Sequence, residues 1–306
     1  MSEVNHDLII AGAGPAGMSA ALWANELNIN HLVLESGTEP GGQLLKTFNP
    51  IDNHLGVAAL NGNDLRDVFF RQVEKRTKSV LFSRTIRNVD IDSNRIQLEN
   101  GEKLGFRALL VATGVRRRRL EVTGEIDLRG KGIILSGKKQ AVEASDKDAI
   151  VVGGGDAAFE NALILSEFAK KVTLIHRRDE FSARREFVEE VLRHPGIEVL
   201  TNAQVVSFNG DSQLKAVSIS LNGENREIEG QIAVIRIGVA PNSEPVTGLV
   251  DLDHRGYIRI SSNCRTTRKC IYAAGDVANP VSPTVSSAVG MGATAVKSIL
   301  EYLRNN

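Results

Sequence analysis

The sequence has few of the features that mark metal centres, secreted scaffolds or nucleic-acid-binding proteins. It contains two cysteines, Cys264 and Cys270, and six scattered histidines in 306 residues. Two cysteines cannot form a disulfide framework, and their spacing fits no common zinc pattern, so no metal site is predicted. The 37 basic residues equal the 37 acidic residues. This balance excludes the global positive field that attracts nucleic acid or an anionic membrane.

Long hydrophobic runs are also missing. No run approaches the ~20 apolar residues that span a bilayer. The polar N-terminal residues lead directly into a strand pattern, which is not typical of a signal peptide. We therefore expect a cytoplasmic protein of about two domains, at ~150 residues each.

The most informative stretch lies near the N-terminus. An apolar strand is followed by the glycine-rich turn GAGPAG, an alanine-rich helix and a second strand that ends at Glu35. Gly12 permits a tight turn, Gly14 lets the backbone approach a pyrophosphate, and Gly17 lets the helix pack closely on the strand. The free N–H groups at the start of the helix stabilise an anion. Glu35 can accept the ribose hydroxyls, so this unit predicts a site for FAD or NAD.

The same pattern occurs a second time, with one informative difference. Gly153, Gly155 and Ala158 follow a strand at G-x-G-x-x-A spacing, and the next strand ends at His176-Arg177-Arg178 instead of at an acid. An acid would repel a phosphate on the ribose 2′ position, whereas arginines can pair with it. The second unit therefore favours NADPH, with NADH left open.

Other patterns predict a β meander, a charged amphipathic helix, a hairpin with its turn near Asn222-Gly223, and a final helix rich in small residues. The meander covers residues 80–91 and 95–98, and the amphipathic helix covers 182–193. The hairpin covers 216–228, and the final helix covers 284–303. Four consecutive arginines, Arg116 to Arg119, favour a solvated hinge between domains over a docking site for an acidic partner or a phosphate.

Taken together, these motifs resemble the thioredoxin-reductase-like flavoproteins, the class II pyridine nucleotide-disulfide oxidoreductases. The resemblance runs from His6 to about Leu303 and is carried by GAGPAG, Glu35, GGQL at Gly41, Asp52-Asn53, ATG at Ala112, GGGD at Gly153, HRRD at His176, IGVAPN at Ile237 and AGD at Ala274. It implies an α/β fold with two Rossmann-like dinucleotide-binding domains (three-layer ββα). The NAD(P)-binding domain, 117–244, would be inserted in the FAD-binding domain, 1–116 plus 245–306.

The resemblance also implies the residues that hold each cofactor. For FAD they are Gly12, Ala13, Gly14, Pro15, Ala16, Glu35, Ser36, Gly42, Gln43, Asn53, Ile86, Thr113, Gly114, Gly275, Asp276, Thr284 and Val285. Among them, Asn53 would reach the isoalloxazine, Ile86 the adenine and Asp276 the ribityl hydroxyls. For NADP, or NADH in its place, they are Gly153, Gly155, Asp156, Ala157, His176, Arg177 and Arg178. No catalytic side chain is predicted, because the cofactors carry the hydride chemistry.

The sequence departs from the family pattern in ways that bear on function. The positions of the family's redox Cys-x-x-Cys are Ser136 and Lys139 here, and serine cannot cycle between thiol and disulfide. The position of a further arginine in the family's NADP signature is Ser182 here, and Arg184 and Arg185 just beyond it are the candidates to substitute for that arginine. The arginine-glutamine pair that usually follows the AGD motif is missing.

Three functions follow as hypotheses. We favour an oxidoreductase that passes electrons from NADPH through FAD to an acceptor other than thioredoxin, such as ferredoxin or flavodoxin. Such a protein is expected to be a homodimer with no nucleic-acid or membrane partner. The alternatives are a disulfide oxidoreductase that uses Cys264 and Cys270 or another electron donor, and a non-catalytic flavin-binding sensor or interaction module.

Overall fold

The computed structural model describes residues 5–77 and 79–306. The chain forms two compact units. The first comprises the described residues up to Arg116 together with Ala240–Asn306, and the second comprises Arg117–Val239. The predicted α/β class with two Rossmann-like units is confirmed.

The first part of the chain builds a mixed sheet. Its elements are β1 (Asn5–Ala11), α1 (Pro15–Glu26), β2 (His31–Leu34), α2 (Gly62–Glu74), β3 (Val80–Leu81), β4 (Ile86–Asp90), β5 (Arg95–Leu98), β6 (Lys103–Val111) and β7 (Val115–Arg117), with a 3-10 helix at Gly42–Lys46. Strand β1 lies between β2 and β6 and is parallel to both. The β meander is formed by β4, β5 and β6.

The strand predicted over 80–91 is wrong in its extent. It is interrupted after β3, which pairs in parallel with β2, while β4 pairs antiparallel with β5. The interruption contains Ser83 with a φ of 54°. This left-handed conformation turns the chain out of the strand.

The inserted part builds a second parallel sheet and an antiparallel hairpin layer. Its elements are β8 (Ile133–Ile134), α3 (Gly137–Gln140), β9 (Asp148–Gly153), α4 (Asp156–Ser166), β10 (Lys171–Ile175), α5 (Arg185–Arg193), β11 (Ile197–Leu200), β12 (Ala203–Asn209), β13 (Ala216–Leu221), β14 (Glu224–Glu229) and β15 (Ile232–Arg236). The parallel sheet has the order β11-β10-β9-β15-β8.

Two predictions for this unit have different outcomes. The hairpin is confirmed, because Asn222 and Gly223 have φ values of 52° and 90° between β13 and β14, as a two-residue hairpin turn requires. The amphipathic helix begins at Arg185, three residues later than the predicted Ser182. Ser182 and Ala183 instead donate their backbone N–H groups to the carbonyl of Gly154.

The chain returns to the first unit through β16 (Val239–Pro241), β17 (Ile271–Ala273) and α6 (Val285–Asn305). Strand β17 extends the first sheet beside β6. Helix α6 packs on α1 so closely that a Cβ at Gly292 would lie 2.3 Å from the carbonyl oxygen of Ala16. The small residues of the last helix therefore serve close helix packing, one of the uses predicted for them.

Both faces of the first sheet are covered. Leu8 and Ile10 pack with α1 and α6, whereas Ile9 faces a second cluster that includes Ile96 and Leu109. A parallel strand buried on both faces is continuously apolar, as β1 is. This packing places the two glycine turns at the carboxyl ends of β1 and β9, where α/β sheets bind ligands. None of the described helices is long and apolar enough to cross a membrane.

Candidate cofactor sites

The first glycine turn combines close packing with one open position. A Cβ at Gly12, which has a φ of +107°, would lie 2.4 Å from the carbonyl oxygen of Ala112, and a Cβ at Gly17 would lie 1.9 Å from that of Gly12. A Cβ at Gly14 would meet no atom within 4 Å. Helix α1 begins there without a side-chain cap. The open face of Gly14 is therefore available to a ligand, and the helix N-terminus favours an anionic one.

Glu35 is held in one orientation at the end of β2. Its two carboxylate oxygens accept the N–H groups of Ala13 at 2.7 Å and Gly37 at 2.8 Å. A carboxylate has about four acceptor positions. The Ser36 hydroxyl donates a third, longer bond to Oε1 at 3.4 Å. Oε2 keeps one open acceptor position, which suits a ribose hydroxyl group.

A cavity of about 700 Å³ connects these features within the first unit. A drug-sized or cofactor-sized ligand occupies a cleft of this order. The lining includes the sequence-predicted residues Gly12, Gly14, Pro15, Ala16, Glu35, Ser36, Gly42, Gln43, Ile86, Thr113, Gly114, Gly275, Asp276, Thr284 and Val285.

Two predicted residues do not line this cavity. Ala13 is buried, and it contributes through its N–H bond to Glu35. Asn53 is exposed in the loop after Ile51. That loop approaches α6, because Nδ1 of His54 lies 3.0 Å from the Ser286 hydroxyl. The contact between Asn53 and a flavin stays a prediction.

The cavity wall between the motifs is cross-linked by side chains. The Asn242 amide donates to the Thr113 carbonyl at 2.8 Å, and the Thr113 hydroxyl donates to the Asn242 carbonyl at 2.6 Å. The Gln43 amide donates to the Val115 carbonyl at 2.6 Å. A Cβ at Gly114 would meet nothing within 4 Å. These bonds hold the ATG and IGVAPN segments together and leave Gly114 open.

Asp276 and the first residues of α6 also line the cavity. Burial raises the pKa of the Asp276 carboxyl. Hydroxyl donors from a ribityl chain would offset that effect, because hydrogen bonds to a carboxylate favour its charged form. Thr284 caps α6 by accepting the N–H of Ser287 at 3.2 Å.

Sequence reasoning missed several lining residues: Lys46, Arg84, Thr85, Arg116 and Glu244. No motif contains them, and only the proximity of Arg84 and Thr85 to Ile86 was a usable signal. Arg116 is held against the cavity wall by bonds to the Pro241 carbonyl at 3.1 Å and the Asn242 side chain at 2.9 Å.

The arginine run contains the boundary between the two units, as the hinge prediction expects, but its side chains are not simply solvated. Besides Arg116, the Arg117 guanidinium donates to the Leu135 carbonyl, and Nε of Arg118 donates to the Val239 carbonyl at 2.9 Å. Three of the four arginines thus anchor backbone carbonyls. Arg119 is exposed.

The second glycine turn places His176 differently from the prediction. The ring is buried beneath the turn, where a Cβ at Gly154 would lie 2.2 Å from Cε1 of His176. Its Nε2 lies 3.0 Å from the Glu180 carbonyl. Burial lowers the pKa of His176, which favours the neutral ring. Its position indicates a packing role, because a buried neutral imidazole is a poor phosphate ligand.

Of the first four arginines after β10, two are paired with carboxylates and two are available to bind a phosphate. Asp156 accepts both the backbone N–H of Arg184 at 2.7 Å and its Nε at 2.9 Å. Arg185 pairs with Glu189 at 2.7 Å. Arg177 and Arg178 are exposed, and neither forms an ion pair within the described part of the chain. Gly155 is the N-cap of α4, and Ala157 lies in its first turn.

Ser136 and Lys139, the positions at which the resemblance implies a dithiol, lie at α3, where Ser136 is the N-cap. Ser136 is buried, and its hydroxyl accepts the N–H of Lys139 at 3.3 Å. The preceding Leu135 carbonyl accepts donors from Arg117 and, at 2.9 Å, from Arg236. Desolvation and the charge of Arg117 lower the pKa of Arg236 to about 10.

The two cysteines do not form a relocated redox pair. Cys264 and Cys270 are free, buried thiols in core clusters on opposite faces of the sheet. Burial raises the pKa of Cys264 to about 11 and also raises the pKa of Cys270. Thiols with raised pKa values supply little thiolate, which is the reactive form. The disulfide hypothesis based on this pair is therefore contradicted by their placement.

Comparison with known proteins gives a consistent picture. Residues 6–292 match the family described as pyridine nucleotide-disulphide oxidoreductase. The chain is 34% identical to a thioredoxin reductase of Mycolicibacterium smegmatis, with 96% of this chain and 95% of the relative covered. It is 29% identical to the 34.2 kDa protein in the rubredoxin operon of Clostridium pasteurianum, with 98% of each chain covered.

A solved structure extends the likeness to three dimensions. The thioredoxin reductase of Lactococcus lactis superposes with a TM-score of 0.82 at 27% identity, covering 98% of this chain and 100% of that one. FAD and NADPH are the cofactors of the thioredoxin-reductase-like family. The chain belongs to the pyridine nucleotide-disulphide oxidoreductase family and is a flavin-dependent oxidoreductase of the thioredoxin-reductase-like type.

Proposed function

We propose that this protein oxidises NADPH and passes the electrons through FAD to an acceptor other than thioredoxin. The observation that carries the proposal is the turn at Ser136 and Lys139. A hydroxyl that caps a short helix occupies the first position of the missing dithiol, and an exposed lysine occupies the second. Neither side chain can exchange electrons with a disulfide. Cys264 and Cys270 are too deeply buried to replace them.

The first unit would hold FAD along its cavity. In this proposal Gly14 and the start of α1 bind the pyrophosphate, and Glu35 binds the adenosine ribose. Asp276 binds the ribityl hydroxyls, and the N-terminus of α6 near Thr284 stabilises negative charge at the flavin edge. FAD supplies the chemistry, since it accepts a hydride and returns electrons to an acceptor. The chain's own residues orient it and exclude water from its buried parts.

The second unit would hold NADPH at the Gly153 turn. Arg177 and Arg178 pair with the 2′-phosphate, as exposed guanidinium groups without competing carboxylates can do. Asp156 would repel the pyrophosphate if it were unpaired. Its ion pair with Arg184 at 2.9 Å reduces that repulsion.

The acceptor is proposed to be a small redox protein. Ferredoxin and flavodoxin are the favoured acceptors, because both can take electrons from a flavin without any thiol chemistry. A relative named for a rubredoxin operon makes rubredoxin a third acceptor to test. The homodimer and the cytoplasmic location remain predictions.

The test is an anaerobic titration of the flavin-loaded protein with NADPH and then with NADH, following flavin absorbance. We expect bleaching by about one equivalent of NADPH and a weaker response to NADH. If only dithionite bleaches the flavin, the hydride-transfer proposal is wrong and a sensor or interaction module becomes the better explanation.

The acceptor is tested separately. Reduction of cytochrome c is measured with ferredoxin, flavodoxin or rubredoxin present, and thioredoxin with a disulfide reagent serves as the comparison. Stimulation by one of the three carriers and none by thioredoxin is expected. Turnover of thioredoxin at rates typical of its reductases would refute the proposed acceptor class.

A further inference from the structure

Arg84 lies in the cavity lining beside Glu35, and no recognised motif accounts for it. The Arg84 backbone N–H donates to the Glu35 carbonyl at 2.9 Å, and that of Ser83 donates to the Gly37 carbonyl at 2.9 Å. Ser83 has a φ of 54°, a conformation that is uncommon outside glycine. This turn holds Arg84 at the same end of the cavity as the Glu35 carboxylate.

The guanidinium of Arg84 is poorly satisfied by the protein. Its Nε is buried and has no hydrogen-bond partner among the described residues. Its Nη1 makes only long bonds, 3.4 Å to the Phe82 carbonyl and 3.3 Å to the Ser83 carbonyl. Buried donors without partners are rare because they lose their bond to water.

Glu102 does not supply the missing partner. Its carboxylate oxygen is 3.9 Å from Nε of Arg84, which is beyond hydrogen-bonding distance. The two side chains are 35% and 43% exposed, so their ion pair contributes little in water.

We infer that Arg84 binds the adenosine half of FAD through its buried Nε–H. The inference rests on the proposed function, in which Glu35 holds the adenosine ribose. Adenine offers ring nitrogens that accept hydrogen bonds and a π face on which a guanidinium stacks. Ile86, two residues further along, lines the same cavity. Arg84 thus belongs to the cofactor site of this chain as an anchor for the end of FAD that is remote from the flavin.

The test measures FAD binding by full-length protein from which flavin has been removed. The variants are Arg84→Gln, Arg84→Lys, Glu102→Gln and, as a matched control, Arg87→Gln, which changes an exposed arginine on β4. We expect Arg84→Gln to weaken FAD binding by about 10-fold, equal to about 1.4 kcal/mol. Arg84→Lys should weaken FAD binding nearly as much, since a lysine side chain has no guanidinium and so no Nε–H donor. Glu102→Gln and Arg87→Gln should bind FAD as the unmodified protein does.

FMN binding and thermal unfolding of the flavin-free protein test whether Arg84 acts on the adenosine half of FAD or on the structure of the protein. FMN lacks adenosine, so Arg84→Gln and the unmodified protein should bind FMN equally, and the unfolding temperature of the flavin-free protein should be unchanged. Unchanged FAD binding by Arg84→Gln would overturn the inference. An equal loss for FMN, or an equal loss in Glu102→Gln, would also overturn it by assigning Arg84 a structural role. If the unmodified protein binds no FAD, the proposed function itself fails, and the two failures are thereby distinguished.

Discussion

Gly14 and Gly17 lie three residues apart, yet their substitution by alanine should have opposite consequences. A Cβ at Gly17 would lie 1.9 Å from the Gly12 carbonyl oxygen and 2.9 Å from its carbon. Both atoms are backbone, so the turn and α1 must separate. Overpacking of this kind costs about 1–3 kcal/mol or more, and Gly17→Ala should lower the unfolding temperature by roughly 2–4 °C per kcal/mol.

Gly14→Ala should leave the flavin-free protein intact. The added Cβ meets no atom within 4 Å, and the φ of −75° and ψ of −175° are accessible to alanine. The methyl group would instead occupy the space through which the backbone approaches the pyrophosphate. Loss of a charge-assisted hydrogen bond there costs about 1.5–3 kcal/mol, or roughly 10- to 150-fold in the dissociation constant.

The assay combines thermal unfolding of the flavin-free protein with FAD titration for both variants. Gly14→Ala with unchanged FAD affinity would show that the pyrophosphate does not pass over Gly14. A stable Gly17→Ala protein would refute the close approach of α1 to the first turn.

Three further predictions concern the second unit and the thiols. Burial lowers the pKa of His176, so below about pH 6.5 the unfolded chain binds a proton at this residue that the native chain does not. His176 should therefore lower the free energy of unfolding as the pH falls, by up to about 1.4 kcal/mol per pH unit. His176→Asn should make the free energy of unfolding depend less steeply on pH between pH 7 and 5. An unchanged pH dependence in unfolding measurements would contradict this prediction. Replacing Arg177 and Arg178 by glutamine should weaken NADPH binding roughly 10- to 150-fold without affecting NADH, as equilibrium titration can show; an equal loss for both nucleotides would argue against 2′-phosphate recognition. Replacing Cys264 and Cys270 by alanine should leave the NADPH-dependent rate unchanged in steady-state assays, whereas loss of turnover in a folded, flavin-loaded variant would restore a redox role for the thiols.

Much of the fold could be predicted because its signals are local. Apolar runs, glycine spacing and the Asn222-Gly223 turn each act within a few residues, so β1, α1, β9 and the hairpin were identified correctly. The interruption at Ser83 was missed because its positive φ is stabilised by pairing with Glu35 and Gly37, which are distant in sequence. Helix α5 began late for a similar reason, since the Gly154 carbonyl captures the N–H groups of Ser182 and Ala183.

The residues of the candidate sites likewise fall into those that the sequence predicts and those that only the tertiary structure shows. The motif residues could be identified from spacing and chemistry. Arg84 and Arg116 have no sequence signature, because they line the cavity through contacts formed only after the strands pair. The burial of His176 beneath Gly154 was equally inaccessible, since nothing in a His-Arg-Arg sequence distinguishes a packed ring from a phosphate ligand.

By itself, the sequence determined that two glycine-rich turns of the dinucleotide-binding pattern are present and that its only cysteines, Cys264 and Cys270, are not spaced as a Cys-x-x-Cys pair. These conclusions depend on which backbone conformations glycine permits and on the chemistry of serine and thiols, and neither requires knowledge of distant contacts. The tertiary structure alone decided which segments share the cavity, and it alone placed the two cysteines on opposite faces of the sheet. The physical reason is that the pairing of strands far apart in the chain sets which face each residue presents and which groups are buried together.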